Sequence, residues 1–241
     1  MLRKAALVAG ETYHIYNRGA HKQPVFVDEG DYVRFLLLLY VANHSERVRL
    51  SDLLKEYPGP SWIQILSDVE ADKSLVDVLA YSLIPNHFHL VLRQKAENGC
   101  TVFMKKVATA YAMYFNLKYE HSGVLFQGCF KSSHIENEPY FRYIFSYVHL
   151  NLLDLIEPGW KENGIKNVEA VRKFINTYPY SSFQDYATSE RPQRKILSWD
   201  EAPLFLKEVN DFEDLIQWQN KNNQDRPGVG KLSTYTEGGS L

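Results

Sequence analysis

The chain has 241 residues, is 45% hydrophobic and 23% charged, and carries a formal net charge of -2. This is an ordinary globular composition, which excludes wholesale disorder, and the longest apolar run, residues 35–41, falls far short of the roughly 20 residues of a membrane span. Two cysteines, Cys100 and Cys129, exclude a disulfide framework and a four-thiolate zinc site, and near-neutrality shows no gross footprint for nucleic acid.

The first segment, residues 11–27, places Tyr13 and Ile15, then Val25, Phe26 and Val27, around the polar turn Asn17-Arg18-Gly19, and so predicts two strand pieces. The acidic residues Asp28, Glu29 and Asp31 precede an apolar run, which predicts a helix with carboxylates at its positive end. Residues 44–74 read as loop around Pro58-Gly59-Pro60, with a short helix near 50–56. Residues 75–93 are two apolar, β-branched halves separated by Pro85-Asn86, the pattern of adjacent strands joined by a tight turn. Phe103, Val107, Tyr111 and Tyr114 recur at helical spacing, predicting a helix over 101–119 that Gly123 ends. Residues 124–135 then read as a strand pair or one long bent strand, and Pro139 opens a helix running from 140 to about 153. Beyond residue 155 the patterns predict helices over 168–178 and 203–219 and a polar, glycine-rich mobile tail over 221–241.

Strand, helix, strand, strand, helix, strand is the order of a ferredoxin-like split βαβ arrangement. The expected fold class is therefore α+β: a four-stranded antiparallel sheet with helices on one face, plus a mostly helical C-terminal extension. The expected division is a catalytic domain over 1–155, the extension over 156–220, and the tail. With neither a signal peptide nor a membrane span in view, a cytoplasmic location is expected.

Chemistry concentrates in two places. His87 and His89 lie two apart on a predicted strand, so a side-chain period of 2 puts both on one face and Phe88, Leu90 and Leu92 on the other. Two adjacent imidazoles can share a divalent metal; taken alone they also suit a solvated sheet face. Tyr147 and Asn151 lie four apart on the last strong helix and share a face. They suit a nucleophile and an amide metal ligand, or equally a half-buried core tyrosine and a helix C-cap.

Read together, these segments carry a resemblance. Residues 81–92, with Pro85-Asn86-His87-Phe88-His89-Leu90, resemble the Met-Pro-Asn-His-hydrophobic-His-Leu stretch of the single-tyrosine HUH transposases, the group of insertion-sequence 200-like and REP-associated tyrosine transposases of bacteria. Tyr13-His14-Ile15 through Gly19 and Val25-Phe26 resembles the family's first strand and turn. Leu125-Phe126-Gln127-Gly128 with Phe130-Lys131-Ser132 resembles its Leu-Phe-Gln-Gly-Arg-Phe-Lys-Ser segment, and residues 143–151 its tyrosine helix. The likeness spans about residues 11–155. Cys129 stands where the family often has Arg, and Leu152-Leu153 where it has Pro-Val.

The resemblance implies metal-dependent cleavage and rejoining of single-stranded DNA through a 5′-phosphotyrosine, as in DNA transposition. Tyr147 would be the nucleophile, and His87, His89 and Asn151 would hold Mg²⁺ or Mn²⁺. Arg18, Lys105, Lys106, Gln127 and Lys131 are candidates for contact with DNA. His14, on the first strand, either faces the same site as His87 or, the reading favoured, is a satisfied structural histidine, and His149, two residues from Tyr147, points away. The expected partner is single-stranded or hairpin DNA. Insertion-sequence relatives can share the tyrosine helix across a homodimer, so use of Tyr147 in cis or in trans stays open. Two other classes compete: a non-catalytic hairpin-binding protein on the same scaffold, and a hydrolase in which the histidines activate water.

Charge is uneven along the chain. Residues 87–142 hold seven Lys and Arg against four Asp and Glu, whereas residues 151–241 hold 11 against 14. This pattern predicts a few placed contacts to DNA rather than a broad basic surface. Arg191, Arg194 and Lys195 form a short basic cluster in the extension, a second candidate grip on a hairpin.

Overall fold

The computed structural model describes residues 6–44, 50–56, 65–66, 74–187 and 191–224. The tail expected over 221–241 lies outside these from residue 225 onward. Chain order is β1 (Thr12–Arg18), α1 (Glu29–Val41), α2 (Leu50–Glu56), β2 (Val76–Ile84), β3 (His87–Gln94), α3 (Gly99–Lys118), β4 (Lys131–Ile135), α4 (Glu138–Leu150), α5 (Val168–Thr177) and α6 (Phe212–Gln224), with single helical turns between the later elements. Among the described residues no helix is long and apolar enough to cross a membrane.

The four strands form one antiparallel sheet in the order β2-β3-β1-β4, the split βαβ topology expected from the sequence. Alternation sorts its two faces. Phe88 meets Phe35 of α1 at 5.0 Å between ring centroids, and Phe35 meets Tyr111 of α3 at 5.1 Å, so the two crossover helices share one face. His89 meets Tyr147 of α4 at 5.5 Å, so α4 lies across the opposite face. Asp28 and Asp31 close the first turn of α1 as a capping box, and buried Asp31 also accepts from Lys118 and Tyr119, which ties α1 to α3.

Several expectations change in detail. Val25 and Phe26 do not form a second strand. Positive φ at His21 and Lys22 turns the chain away, Pro24 offers no N–H, and the amides of Val25 and Phe26 instead both donate to Pro85 O. Gly19 is required at this turn, since a Cβ there would stand 2.1 Å from Gln23 O. Only residues 131–135 of the expected long strand join the sheet, because Gly128 at φ +114° breaks the segment before it. The tyrosine helix starts at Glu138, where Asn137 caps it through Tyr140 N, and tightens into a 3-10 turn over Asn151–Leu155. The helix expected over 203–219 is two pieces, because Asp211 accepts from Asp214 N and so acts as an N-cap in mid-segment.

The C-terminal elements complete the core. Strand β2 is an edge, and such an edge leaves a row of open backbone groups. Leu83 N donates to Tyr180 O, Ser182 N to Tyr81 O, Ser198 N to Val78 O and the Tyr186 hydroxyl to Leu79 O, so residues 180–186 and Ser198 satisfy that edge. Phe183, Leu206, Phe212 and Leu215 are buried in the same cluster as the sheet's own side chains. Each such burial contributes about 1.5–3 kcal/mol.

Candidate active site

The site lies on the sheet face that α4 covers. Register places Tyr16 opposite His89 and Arg18 opposite His87, and direct partners in an antiparallel pair share a face. His14 pairs with Val91, one step along, and is the diagonal neighbour of His89. Lys131 pairs with Tyr16 from the other side and completes the row.

Asn151 joins the two imidazoles. Its Nδ2 lies 2.9 Å from His87 Nε2 and 3.0 Å from His89 Nε2, while its Oδ1 accepts from Lys161 Nζ at 3.0 Å. An ammonium can only donate, so this contact fixes which end of the amide is oxygen. Both Nε2 atoms therefore accept, and their lone pairs converge on one point. His87 Nδ1 meets Asn86 Oδ1 at 2.6 Å, and His89 Nδ1 meets His14 Nε2 at 2.9 Å.

Tyr147 stands over this group. Its ring is edge-on to His89 and to His14, at 5.5 and 5.8 Å, and the Lys161 ammonium is 5.4 Å from its centroid. Burial, with the neighbouring Tyr143, Asp154 and Tyr16, pushes the phenol up to about 12, so it rests protonated. Burial lowers His87 to about 3, with Arg18 and Lys161 adding to the effect, and holds His89 well below its ordinary value. The imidazoles are thus neutral donors near pH 7.

The structure brings together Tyr147, His87, His89 and Asn151, and sets Arg18 and Lys131 on the same face. Gln127 is exposed, and its backbone N–H donates to Arg18 O. Lys105 and Lys106 are elsewhere: α3 packs on the opposite face, and Lys106 Nζ donates to His44 O at 2.6 Å. Arg191 is engaged within the fold, bonded to Asp185 and to the carbonyls of Pro179 and Ser181, and Arg194 stacks on Trp199 at 3.6 Å. His149 points away from the site, as expected, and bonds Phe145 O and Ser182 Oγ. Sequence reasoning missed Lys161, which no motif marks; it left His14 between the site and a structural role, and strand register sets it against His89.

A strand bearing paired imidazoles here faces a helix bearing a tyrosine. The model of the family described as "Transposase IS200 like" matches residues 40–151, the stretch bearing both histidines, Tyr147 and Asn151, so over this part the chain is similar to that family. No curated protein matches the chain. Among solved structures it is similar to a REP-associated tyrosine transposase bound to a REP hairpin, at 12% identity over 77% of this chain and 84% of that one, with a TM-score of 0.44. It is also similar to tRNA(His) guanylyltransferase from Saccharomyces cerevisiae, at 9% identity over 85% and 86%, with a TM-score of 0.35. At these values neither structure bears on mechanism or substrate. His14 and Lys161 both lie outside the stretch that the family model matches.

Proposed function

We propose that the protein cleaves and rejoins single-stranded DNA by transesterification, with Tyr147 as the nucleophile. The observation that carries this reading is the convergence of His87 Nε2 and His89 Nε2 on the Asn151 amide beneath the Tyr147 ring. Single-stranded or hairpin DNA is the substrate class the family implies.

The donor set fits a divalent cation. Among the described residues no group of three or more His, Cys, Asp or Glu is arranged to hold a metal, and the Asn151 amide is the third protein donor of this reading. His87 Nε2, His89 Nε2 and, once the amide turns, Asn151 Oδ1 would hold Mg²⁺ or Mn²⁺. A bound cation draws charge from a non-bridging oxygen of the scissile phosphate.

The chain's own groups do the rest. Tyr147 Oη attacks phosphorus; the Oη–P bond forms as the P–O3′ bond breaks. The products are a 5′-phosphotyrosine and a 3′-hydroxyl, and the proton lost by the phenol is balanced by the one the 3′ oxygen gains. One phosphodiester replaces another, so the reverse attack reseals the strand without a nucleotide cofactor. Lys161, beside the tyrosine, and Arg18 and Lys131, along the sheet, place positive charge where a phosphate would lie.

The test is incubation of labelled single-stranded hairpin DNA with the protein and Mn²⁺, followed by a denaturing gel. A covalent protein–DNA band that Tyr147→Phe abolishes is expected. An adduct that persists in Tyr147→Phe removes the nucleophile assignment. Cleavage without an adduct favours a hydrolase, and tight hairpin binding without cleavage favours a binding protein.

A further inference from the structure

We infer that His14 is a positioning residue that holds His89 in the tautomer whose Nε2 lone pair faces the metal point. This deepens the metal reading above and rests on it.

The argument runs along a single chain of hydrogen bonds. Lys161 Nζ donates to Asn151 Oδ1, so Asn151 Nδ2 donates to His89 Nε2. The proton of neutral His89 is therefore on Nδ1, and the atom 2.9 Å from it, His14 Nε2, must accept. The reverse direction fails. A proton on His14 Nε2 would move that of His89 to Nε2, where two donors would then face each other across 3.0 Å.

The arrangement leaves His14 with its own proton on Nδ1. That atom is buried and has no partner among the described residues, and the side chain is only 1% exposed. Buried donors are almost always paired, so an orphan calls for an explanation. In this orientation the ring's hydrogen bond goes to His89 while Nδ1 is left without one. A histidine that serves His89 must adopt it, because only the Nδ1–H tautomer of His14 leaves Nε2 free to accept. The two rings stack at 5.1 Å and 17°, and the Tyr147 edge closes on both, which holds the pair in place. Asn86 does the same service for His87 through Oδ1, so each imidazole has its own partner at Nδ1. Metal-bound histidines in general have such a partner, and removing it costs about 10–100-fold in metal affinity.

Two measurements test this. Long-range ¹H–¹⁵N correlation spectra of the metal-free protein near pH 7.5 read the tautomer directly. His89 should show a protonated Nδ1 and a bare Nε2, and His14→Leu should shift it toward Nε2–H. Mn²⁺ titration followed by electron paramagnetic resonance reads affinity. His14→Leu should bind about 10–100-fold more weakly, while His14→Gln, whose Oε1 can accept, should stay within about threefold of wild type. Wild-type His89 protonated on Nε2 would overturn the inference, as would unchanged Mn²⁺ affinity in a His14→Leu protein that circular dichroism shows to be folded. A wild-type protein that binds no Mn²⁺ would instead overturn the metal reading, and the tautomer spectra would still decide what His14 does.

Discussion

His149 gives the structure a measurable acid sensitivity that is independent of catalysis. It sits at the junction of α4 and the C-terminal segment, fully buried, with Nδ1 on Phe145 O and Nε2 on Ser182 Oγ. Burial lowers it from 6.5 to about 3, against the raising effect of the Phe145 carbonyl. In the unfolded chain it titrates near 6.5, so between the two values the unfolded state binds a proton that the native state does not. Stability from this residue is complete above about pH 7.5 and is lost as pH falls. At pH 5 the unfolded histidine is almost wholly protonated and the native one almost wholly neutral, which works out to about 2 kcal/mol. That figure barely changes if the native value is a unit higher, because at pH 5 it depends on the unfolded pKa. The perturbation is His149→Gln, which cannot titrate. Urea unfolding at pH 8 and pH 5, with chelator present, gives four stabilities. Wild type should lose about 2 kcal/mol more than the variant between the two conditions. The difference removes the shared contributions of His14, His87 and His89. Equal losses would show that His149 is not buried as a neutral partner of Ser182, and the reasoning would fail.

Two further predictions concern the site. Lys161→Met should slow covalent adduct formation by about 10²–10³-fold, the usual effect of removing one preorganised charge, and leave the fold intact because the ammonium is partly exposed; an unchanged rate would exclude Lys161 from the chemistry. Binding of a single-stranded oligonucleotide should depend weakly on salt. Arg18, Lys131 and Lys161 flank the site, and neutralising three phosphates gives a slope of log K against log salt of about -2, so a slope steeper than about -5 would reveal a basic surface the structure does not place there.

Much of the site was legible because it obeys local geometry. His87 and His89 share a face through the two-residue period of β3, and Tyr147 and Asn151 through the turn of α4. Both relations hold wherever the segment lies. The same logic missed at junctions. Asp211 looks like one more helix residue until its carboxylate is seen to cap a new start. Val25 and Phe26 look like a strand until the turn at His21 and Lys22 carries them off the sheet edge.

The sequence by itself determined the split βαβ order and which of these residues share a face, since periodicity and spacing are properties of the backbone within one segment, whereas the family resemblance marked His87, His89, Tyr147 and Asn151 as a candidate site. Only the tertiary structure decided that α4 lies over the histidines and that residues 180–186 and Ser198 close the β2 edge. It alone set His14 diagonally against His89 and brought Lys161 back to Asn151. Those contacts join residues from 10 to more than 100 positions apart. They depend on strand register and on which faces must be buried together, and no single segment of the chain specifies either.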